Sequence, residues 1–193
     1  MGLYLGGYMT LSSCSSRLGP VCKLVDMQEV SKGLFLVQSE MAFKKETELC
    51  EEYPERKVFQ LSFCMNGICE WDYRQKRGEH YQLSPTQCSL QCGTFSQCVS
   101  RFGSEEPYRT LSISLEQERF LPLAEDLEAA HLIRRDNKIC THIFSTTPEI
   151  RLVLQQLLDC PPERKLRKLY LEGKVLELVS LFCEEAIGKQ KND

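Results

Sequence analysis

Cysteine is the residue type with the clearest potential for chemistry in this sequence, which contains eleven of them. Cys64, Cys88, Cys92 and Cys98 fall in or beside predicted strands, and the spacing of Cys88 and Cys92 puts both on one face of a strand. Thiolates gathered at one place would make a soft metal site or a redox pair. No Cys-x-x-Cys pair typical of tetrahedral zinc sites occurs. We therefore expect most thiols to pack as small hydrophobes, with a thiol-based metal or redox sensor as an alternative.

The histidines are too few and too far apart in the sequence to form a local metal-binding site. The three histidines are His80, His131 and His142, and no His-x-His pair occurs. A metal-dependent enzyme on a small barrel needs several imidazoles and a carboxylate on neighbouring strands, which only long-range assembly would provide here. Glycine-rich phosphate-binding loops are also absent from the sequence. We expect no catalytic residues, no bound metal and no cofactor, and therefore no enzyme.

Composition limits the partners of the chain. It has 193 residues, 42% of them hydrophobic, which is enough for one main folded domain. The formal charge is −3 at pH 7, so the electrostatic attraction that dominates DNA binding has no support from the whole chain. The first residues lack both a basic region and an uninterrupted apolar stretch. We expect a cytoplasmic protein with reduced thiols and no membrane segment.

The elements that must position any site are predicted to be short strands followed by helices. Residues 58–65 alternate in polarity, and Asn66-Gly67 then predicts a type I′ hairpin into a second alternating strand over residues 68–74. Residues 1–33 are mostly irregular by the same criteria. Further strands are predicted at residues 33–37, 80–83, 88–92 and 110–115. Strands of this length and spacing indicate a sandwich or a barrel.

Ligand-binding candidates come from the alternation of these strands. An apolar and aromatic wall for a hydrophobic or planar ligand would consist of Phe59, Leu61, Phe63, Trp71, Tyr73 and His80, and the alternative is that these residues are core. In the predicted strand over residues 110–115, Leu111, Ile113 and Leu115 share one face. The opposite face carries Thr110, Ser112 and Ser114. That polar face is expected to meet either solvent or a ligand cavity.

The carboxyl-terminal region is predicted to be a helical hairpin. Thr147-Pro148-Glu149 is a typical helix start, and Pro161-Pro162 ends that helix. The next helix spans about residues 163–186, where one apolar stripe packs inward and a second predicts a homodimer. The dimerisation residues are predicted to be Leu166, Leu169, Gly173, Leu176 and Cys183. The alternative is that both stripes face the core of the same subunit.

Two stretches together resemble a known family. Residues 58–67, with the aromatic strand and the turn over residues 81–85, resemble the effector-binding domain of AraC-family transcriptional regulators. Residues 148–160 and 169–178 resemble the region ahead of the DNA-binding domain in the subgroup typified by the pyochelin regulator. The resemblance implies an α+β fold: a cupin-like antiparallel β-barrel of jelly-roll type followed by C-terminal helices that form a hairpin. It also implies a small-molecule effector, siderophore-like by analogy with that regulator.

The resemblance also implies a division of the chain and a function. Residues 1–145 would be the cupin-like effector-binding barrel, residues 146–188 the helical linker and dimerisation region, and residues 189–193 a tail or linker. The family's helix-turn-helix units would follow Asp193, so DNA contact is expected only through a domain absent from this sequence. The predicted function is effector sensing and dimerisation, with the barrel controlling the terminal helices. A cupin-type metal-dependent enzyme is the alternative besides the thiol sensor, and Thr86-Gln87 departs from the family's usual glycine after the barrel-turn proline.

Overall fold

The computed structural model describes residues 22–74, 78–134 and 136–190, which form eight strands and three helices. The elements are β1 (Cys22–Ser31), β2 (Leu34–Ala42), β3 (Thr47–Asn66), β4 (Cys69–Tyr73), β5 (His80–Leu83), β6 (Gln87–Phe102), β7 (Tyr108–Leu115), α1 (Gln117–Ala129), β8 (Cys140–Ser145), α2 (Pro148–Leu158) and α3 (Arg167–Gln190). Part of the stretch predicted to be irregular is β1, an edge strand with weak alternation that pairs with β2 over its whole length. The rest of that prediction lies outside the described residues.

All the strands join one antiparallel sheet, in the order β1-β2-β7-β3-β6-β4-β5, with β8 paired to β6. The long strands β3 and β6 pair from Thr47↔Phe102 to Phe63↔Cys88. One end of β6 also pairs with β8, and its other end pairs with β4. The long strands β3 and β6 therefore belong to both halves of the sheet and connect them. The predicted α+β fold is confirmed: the antiparallel sheet is barrel-like, with β1 and β5 at the ends of its strand order, and α2 and α3 follow it as a C-terminal helical hairpin.

The predicted hairpin at Asn66-Gly67 is wrong, although a turn is present. The last residues of β3 pair with β7, whereas β4 pairs with β5 and β6. Gly67 has φ +73°, and a Cβ there would lie 2.9 Å from the carbonyl oxygen of Pro107. The side chain of Asn66 donates to that same oxygen at 2.8 Å. Both residues therefore serve a tight crossing between the two halves of the sheet rather than a pairing of consecutive strands.

The helices cover one face of the sheet. Phe120 of α1 stacks on Phe59 at 4.3 Å between ring centroids, and Phe182 of α3 meets Phe63 edge to face at 6.2 Å. On α3 the predicted inward stripe is fully buried and consists of Leu171, Val175, Leu178 and Phe182. The predicted start of α2 is confirmed, because the Thr147 hydroxyl accepts from the backbone N–H of Ile150. No helix among the described residues is long and apolar enough to cross a membrane.

Candidate functional site

Strand alternation divides the buried residues between two sides of the sheet. Phe59, Leu61 and Phe63 face the helices, together with Leu111 and Ile113 of β7. We call the opposite, inward-turned side of β2, β3, β6, β7 and β8 the inner face. Its cross-strand neighbours are polar, since Ser62 pairs with Ser112 on β7 and with Ser89 on β6.

A row of short polar side chains on this inner face, which we call the hydroxyl row, consists of Ser62, Ser112, Gln60, Ser39 and Thr110. The hydroxyls of Ser62 and Ser112 are 3.0 Å apart, and Gln60 Nε2 donates to Ser62 Oγ at 2.9 Å. Next to them, the hydroxyls of Ser39 and Thr110 are 2.6 Å apart. Hydroxyls and amides both donate and accept, so the row presents hydrogen-bonding groups of either kind without a net charge.

Ser89 breaks this pattern of satisfied groups. Its side chain is 0% exposed, and its hydroxyl has no hydrogen-bond partner in the structure. A buried polar group without a partner costs about 1–3 kcal/mol. Such a group on a polar surface is a ready contact for a ligand or a water molecule.

Aromatic residues form the opposing part of the interior. Trp71 stacks on Tyr81 at 5.6 Å, and Tyr73 meets Tyr81 at 5.9 Å. The indole N–H of Trp71 is buried and makes no hydrogen bond of normal geometry. Burial raises the pKa of Tyr73, although the nearby Thr141 hydroxyl opposes this rise, so the phenol stays protonated. Thr141 pairs with Gln91 of β6, which in turn pairs with Gln60 of the hydroxyl row. Thr141 therefore lies between Tyr73 and the hydroxyl row.

The inner face becomes more exposed towards one end. Thr110 and Ser112 of β7 are buried, whereas Ser114 is partly exposed, and Gln60 on β3 follows Ser62 in the same way. We call this partly exposed end the mouth. The hydroxyl row comes nearest to solvent at this end.

The structure divides the predicted ligand-binding set. Trp71 and Tyr73 lie in the interior, but Phe59, Leu61 and Phe63 face the helices and are core. His80 lies on the outside, where Nδ1 is 2.9 Å from Asp72 Oδ1 and Nε2 is 3.5 Å from Glu70 Oε2. The sequence predicted that the polar face with Thr110 and Ser112 meets solvent or a ligand cavity, but these residues were not among the predicted ligand-binding residues. The same face continues on β3 and β6 with Ser62 and Ser89, which the sequence did not indicate as site residues.

The predicted dimerisation residues are divided too. The exposed fractions of Leu166, Leu169 and Leu176 are 77%, 65% and 45%, and Gly173 is exposed beside them with open space around its Cα. Cys183 is 8% exposed and packs into the core of its own subunit. We call Leu169, Gly173 and Leu176 the outer stripe of α3. Cys183 is therefore a core residue, because the helix turns its side chain away from this stripe.

The four cysteines of the thiol alternative lie on two sides of the sheet. Cys88 and Cys92 belong to the helix-facing core, whereas Cys64 and Cys98 belong to the interior cluster. Four residues along a strand separate Cys88 and Cys92 by roughly 13 Å. Burial raises the pKa of Cys64 to about 11 and that of Cys88 to about 12, so both thiols are protonated at neutral pH. The described residues do not assemble a common thiol site.

The histidines do not converge either. His80 is on the outside of β5, His131 is in the exposed turn after α1, and His142 is on the helix-facing side of β8. Within residues 22–74, 78–134 and 136–190, no group of three or more metal-ligating side chains could hold a metal ion. The part of the chain that the structure describes therefore gives the metal-dependent enzyme alternative no site.

Comparison with known proteins assigns this architecture to a family. A family model described as the regulatory protein PchR N-terminal domain matches residues 21–193. The match confirms the resemblance seen in the sequence. No curated protein matches the chain.

Solved structures share the fold at low sequence identity. ToxT from Vibrio cholerae aligns with a TM-score of 0.57 and 11% identity over 85% of this chain and 59% of that one. The AraC-like transcriptional activator CuxR aligns with a TM-score of 0.52 and 9% identity over 81% of this chain and 55% of that one. The chain thus spans less than two thirds of the length of these structures.

Proposed function

We infer, because this chain belongs to the family of PchR regulatory-protein N-terminal domains, that it is the sensing and dimerisation part of an AraC-type transcription regulator. A small-molecule effector binds on the inner face, and its presence changes the placement of α3. The observation that carries this proposal is the buried hydroxyl row, with the unpartnered Ser89, on the side of the sheet where Trp71 and Tyr73 also pack. We also propose that the chain is cytoplasmic and has no enzymatic activity.

The inner face supports ligand binding because it is costly as a plain core. A Ser–Ser hydrogen bond contributes only about 1 kcal/mol, and the unpartnered hydroxyl of Ser89 opposes folding. Apolar residues at these positions would serve stability better. A ligand that hydrogen-bonds Ser89 and stacks near Trp71 would explain why both kinds of group face the interior.

Communication with α3 has a physical route along β1 and the turn after it. Arg119 of α1 donates to Ser31 Oγ and to the carbonyl oxygen of Lys32, both at 2.8 Å, and its Nη2 is 3.7 Å from Glu172 of α3. Arg167 donates to Gln28 of β1 at 2.7 Å. Since β2 contributes to the inner face, an effector that shifts β1 and β2 changes these contacts and the populations of the α3 positions.

The outer stripe of α3 is the proposed dimer contact with a second copy of the chain. Leu169 and Leu176 lie about two helical turns apart with Gly173 between them, so two such helices approach closely. We propose that DNA contact is made by helix-turn-helix units, as the family resemblance implies, and not by the residues described here. By family analogy, we propose a siderophore-like effector.

Native mass spectrometry of the gently purified chain tests effector binding. We expect a co-purified small molecule on the wild-type protein, and loss of that molecule from the Ser112→Val variant. The matched control is Ser145→Val, which changes an exposed serine on β8. A compound retained by Ser112→Val would contradict binding at the inner face. Soaking the protein with a cell extract before the measurement extends the test to effectors lost in purification.

A further inference from the structure

The polar part of the inner face is uncharged. Residues 35–41 of β2, 58–64 of β3, 87–93 of β6, 108–114 of β7 and 141–143 of β8 present only hydroxyl, amide, thiol and apolar groups on this side. The polar groups nearest the mouth are those of Thr141, Gln91, Gln60 and Ser114, and those of Ser89, Ser62 and Ser112 lie further in. We infer that this surface selects an uncharged, flat ligand with hydrogen-bonding groups on its edge, an inference that rests on the proposed function.

Solvation explains the exclusion of charge. A ligand that carries a full charge into the interior loses its hydration, and it would need an opposite charge or several aligned donors in return. The hydroxyl row has no charged group, and it has no set of free aligned donors because Ser62 is already hydrogen-bonded to Ser112 and Gln60. A neutral amide or hydroxyl loses less hydration and needs only one partner. The unpartnered Ser89 hydroxyl supplies such a partner, either as donor or as acceptor.

The aromatic side explains the requirement for a flat ligand. Trp71 and Tyr81 stack on each other at 5.6 Å with an interplanar angle of 23°, so a flat ring of a ligand would extend this stack at the partly exposed Tyr81. Offset stacking on such a surface favours an aromatic or conjugated ring. At the exposed edge, the Tyr81 hydroxyl donates to the carboxylate of Glu79. A siderophore-like effector would therefore insert an uncharged aromatic part and keep its charged groups at the mouth.

A matched pair of probes tests the charge rule. Benzamide and benzoate have nearly the same size and shape but differ in charge at neutral pH. Trp71 is the only tryptophan in the sequence, so its emission reports directly on the interior. We expect saturable changes in Trp71 emission with benzamide in the millimolar range, as for other very small ligands, and binding at least tenfold weaker for benzoate.

The outcomes separate the two proposals. Benzoate binding as tightly as benzamide, or more tightly, would overturn the charge rule and leave effector binding at the inner face intact. If neither probe perturbs Trp71 emission at concentrations on the order of 10 mM, the inference about the ligand fails, whereas the proposed function fails only if the wild-type protein also retains no compound in the native mass spectrum.

A variant pair locates the contact. Ser89→Ala removes the unpartnered hydroxyl without breaking a hydrogen bond within the protein. We expect it to weaken benzamide binding roughly three- to tenfold. Ser96→Ala, at an exposed position on the same strand, is the control and should bind benzamide like the wild type. Unchanged affinity in Ser89→Ala would overturn the assignment of Ser89 as the ligand's partner.

Discussion

The hydroxyls of Ser62 and Ser112 lie 3.0 Å apart on adjacent strands, both side chains buried, on the side of the sheet turned away from the helices. In the neighbouring pair of the same two strands, Phe63 and Leu111 face the helices. A single pair of neighbouring strands therefore supplies an apolar core on one side and a hydrogen-bonding surface on the other. The same relationship extends to β6 through Ser89.

The Ser62–Ser112 pair should show strong coupling in a double-mutant cycle. In Ser112→Ala, the Ser62 hydroxyl keeps its hydrogen bond with Gln60. In Ser62→Ala, both the Ser112 hydroxyl and the Gln60 amide lose their hydrogen-bond partner. We expect urea unfolding to give a larger loss of stability for Ser62→Ala, with each single variant costing about 1–3 kcal/mol. The double variant should lose less than the sum of the two. Additive losses would contradict a direct bond between the hydroxyls.

Removal of Phe182 should detach α3 from the sheet. Its ring meets Phe63 at 6.2 Å and Phe144 at 5.6 Å, both edge to face, and it is fully buried. Phe182→Ala should lower the free energy of unfolding by about 3–5 kcal/mol. Phe182→Leu, which keeps more of the volume, should fold even if the alanine variant does not and should cost less. Leu176→Ala on the exposed side of the same helix is the control, with a change of less than about 0.5 kcal/mol in the monomer.

Charge on the outer stripe should block dimerisation without unfolding the subunit. Leu169 and Leu176 are exposed, so Leu169→Asp or Leu176→Asp places a carboxylate at the proposed contact but leaves the core intact. Sedimentation velocity should show a dimer for the wild type at micromolar concentration and a monomer for either variant. Leu152→Asp, at an exposed position on α2, is the control. Wild-type sedimentation of both α3 variants would exclude this stripe as the contact.

Alkaline pH should destabilise the protein through its buried thiols. Burial raises the pKa of Cys64 and Cys183 to about 11 and that of Cys88 to about 12, from 9.0 for an exposed thiol. The unfolded chain therefore loses these protons first, so this contribution to stability is complete below pH 9 and is lost as the pH rises towards 11 or 12. Urea unfolding at pH 7.5, 9 and 10.5 should show the decline.

A cysteine variant isolates the thiol contribution to this pH dependence. Cys88→Ala removes one titrating group, so its stability should fall less steeply above pH 9 than that of the wild type, whatever the effect on absolute stability. Cys50→Ala, which changes a partly exposed thiol, serves as the control. Parallel pH profiles for Cys88→Ala and the wild type would show that Cys88 does not contribute.

Arg119 should hold α3 in place through the turn between β1 and β2. Arg119→Met removes the bonds to Ser31 and Lys32 and the contact with Glu172 while keeping a long side chain. Hydrogen exchange in the first half of α3 should become roughly three- to tenfold faster, with β3 and β6 unchanged. Arg109→Met, which breaks an exposed ion pair with Glu40, should leave α3 unaffected. Equal protection of α3 in wild type and Arg119→Met would remove Arg119 from the proposed route.

Local patterns predicted much of the secondary structure. The strand at His80–Leu83, the cap at Thr147 and the inward stripe of α3 follow from alternation, capping chemistry and helical spacing, all of which depend on neighbours in sequence. The missed strand β8 is different. Its six residues alternate weakly and form a strand because β6 lies alongside. The turn at Asn66-Gly67 and the strands on either side of it were predicted. The pairing of these two strands with each other was wrong, because strand pairing depends on residues far apart in the sequence.

The sequence by itself determined that β3 and β7 each have one apolar and one polar face, since side chains alternate along any strand. It also determined that α3 carries two apolar stripes. Only the tertiary structure decided that the helices cover the face with Phe59 and Phe63, which makes the serine face the interior. Period-two alternation states which residues share a face but not what that face meets. That choice depends on pairing between strands far apart in the chain and on where the helices pack.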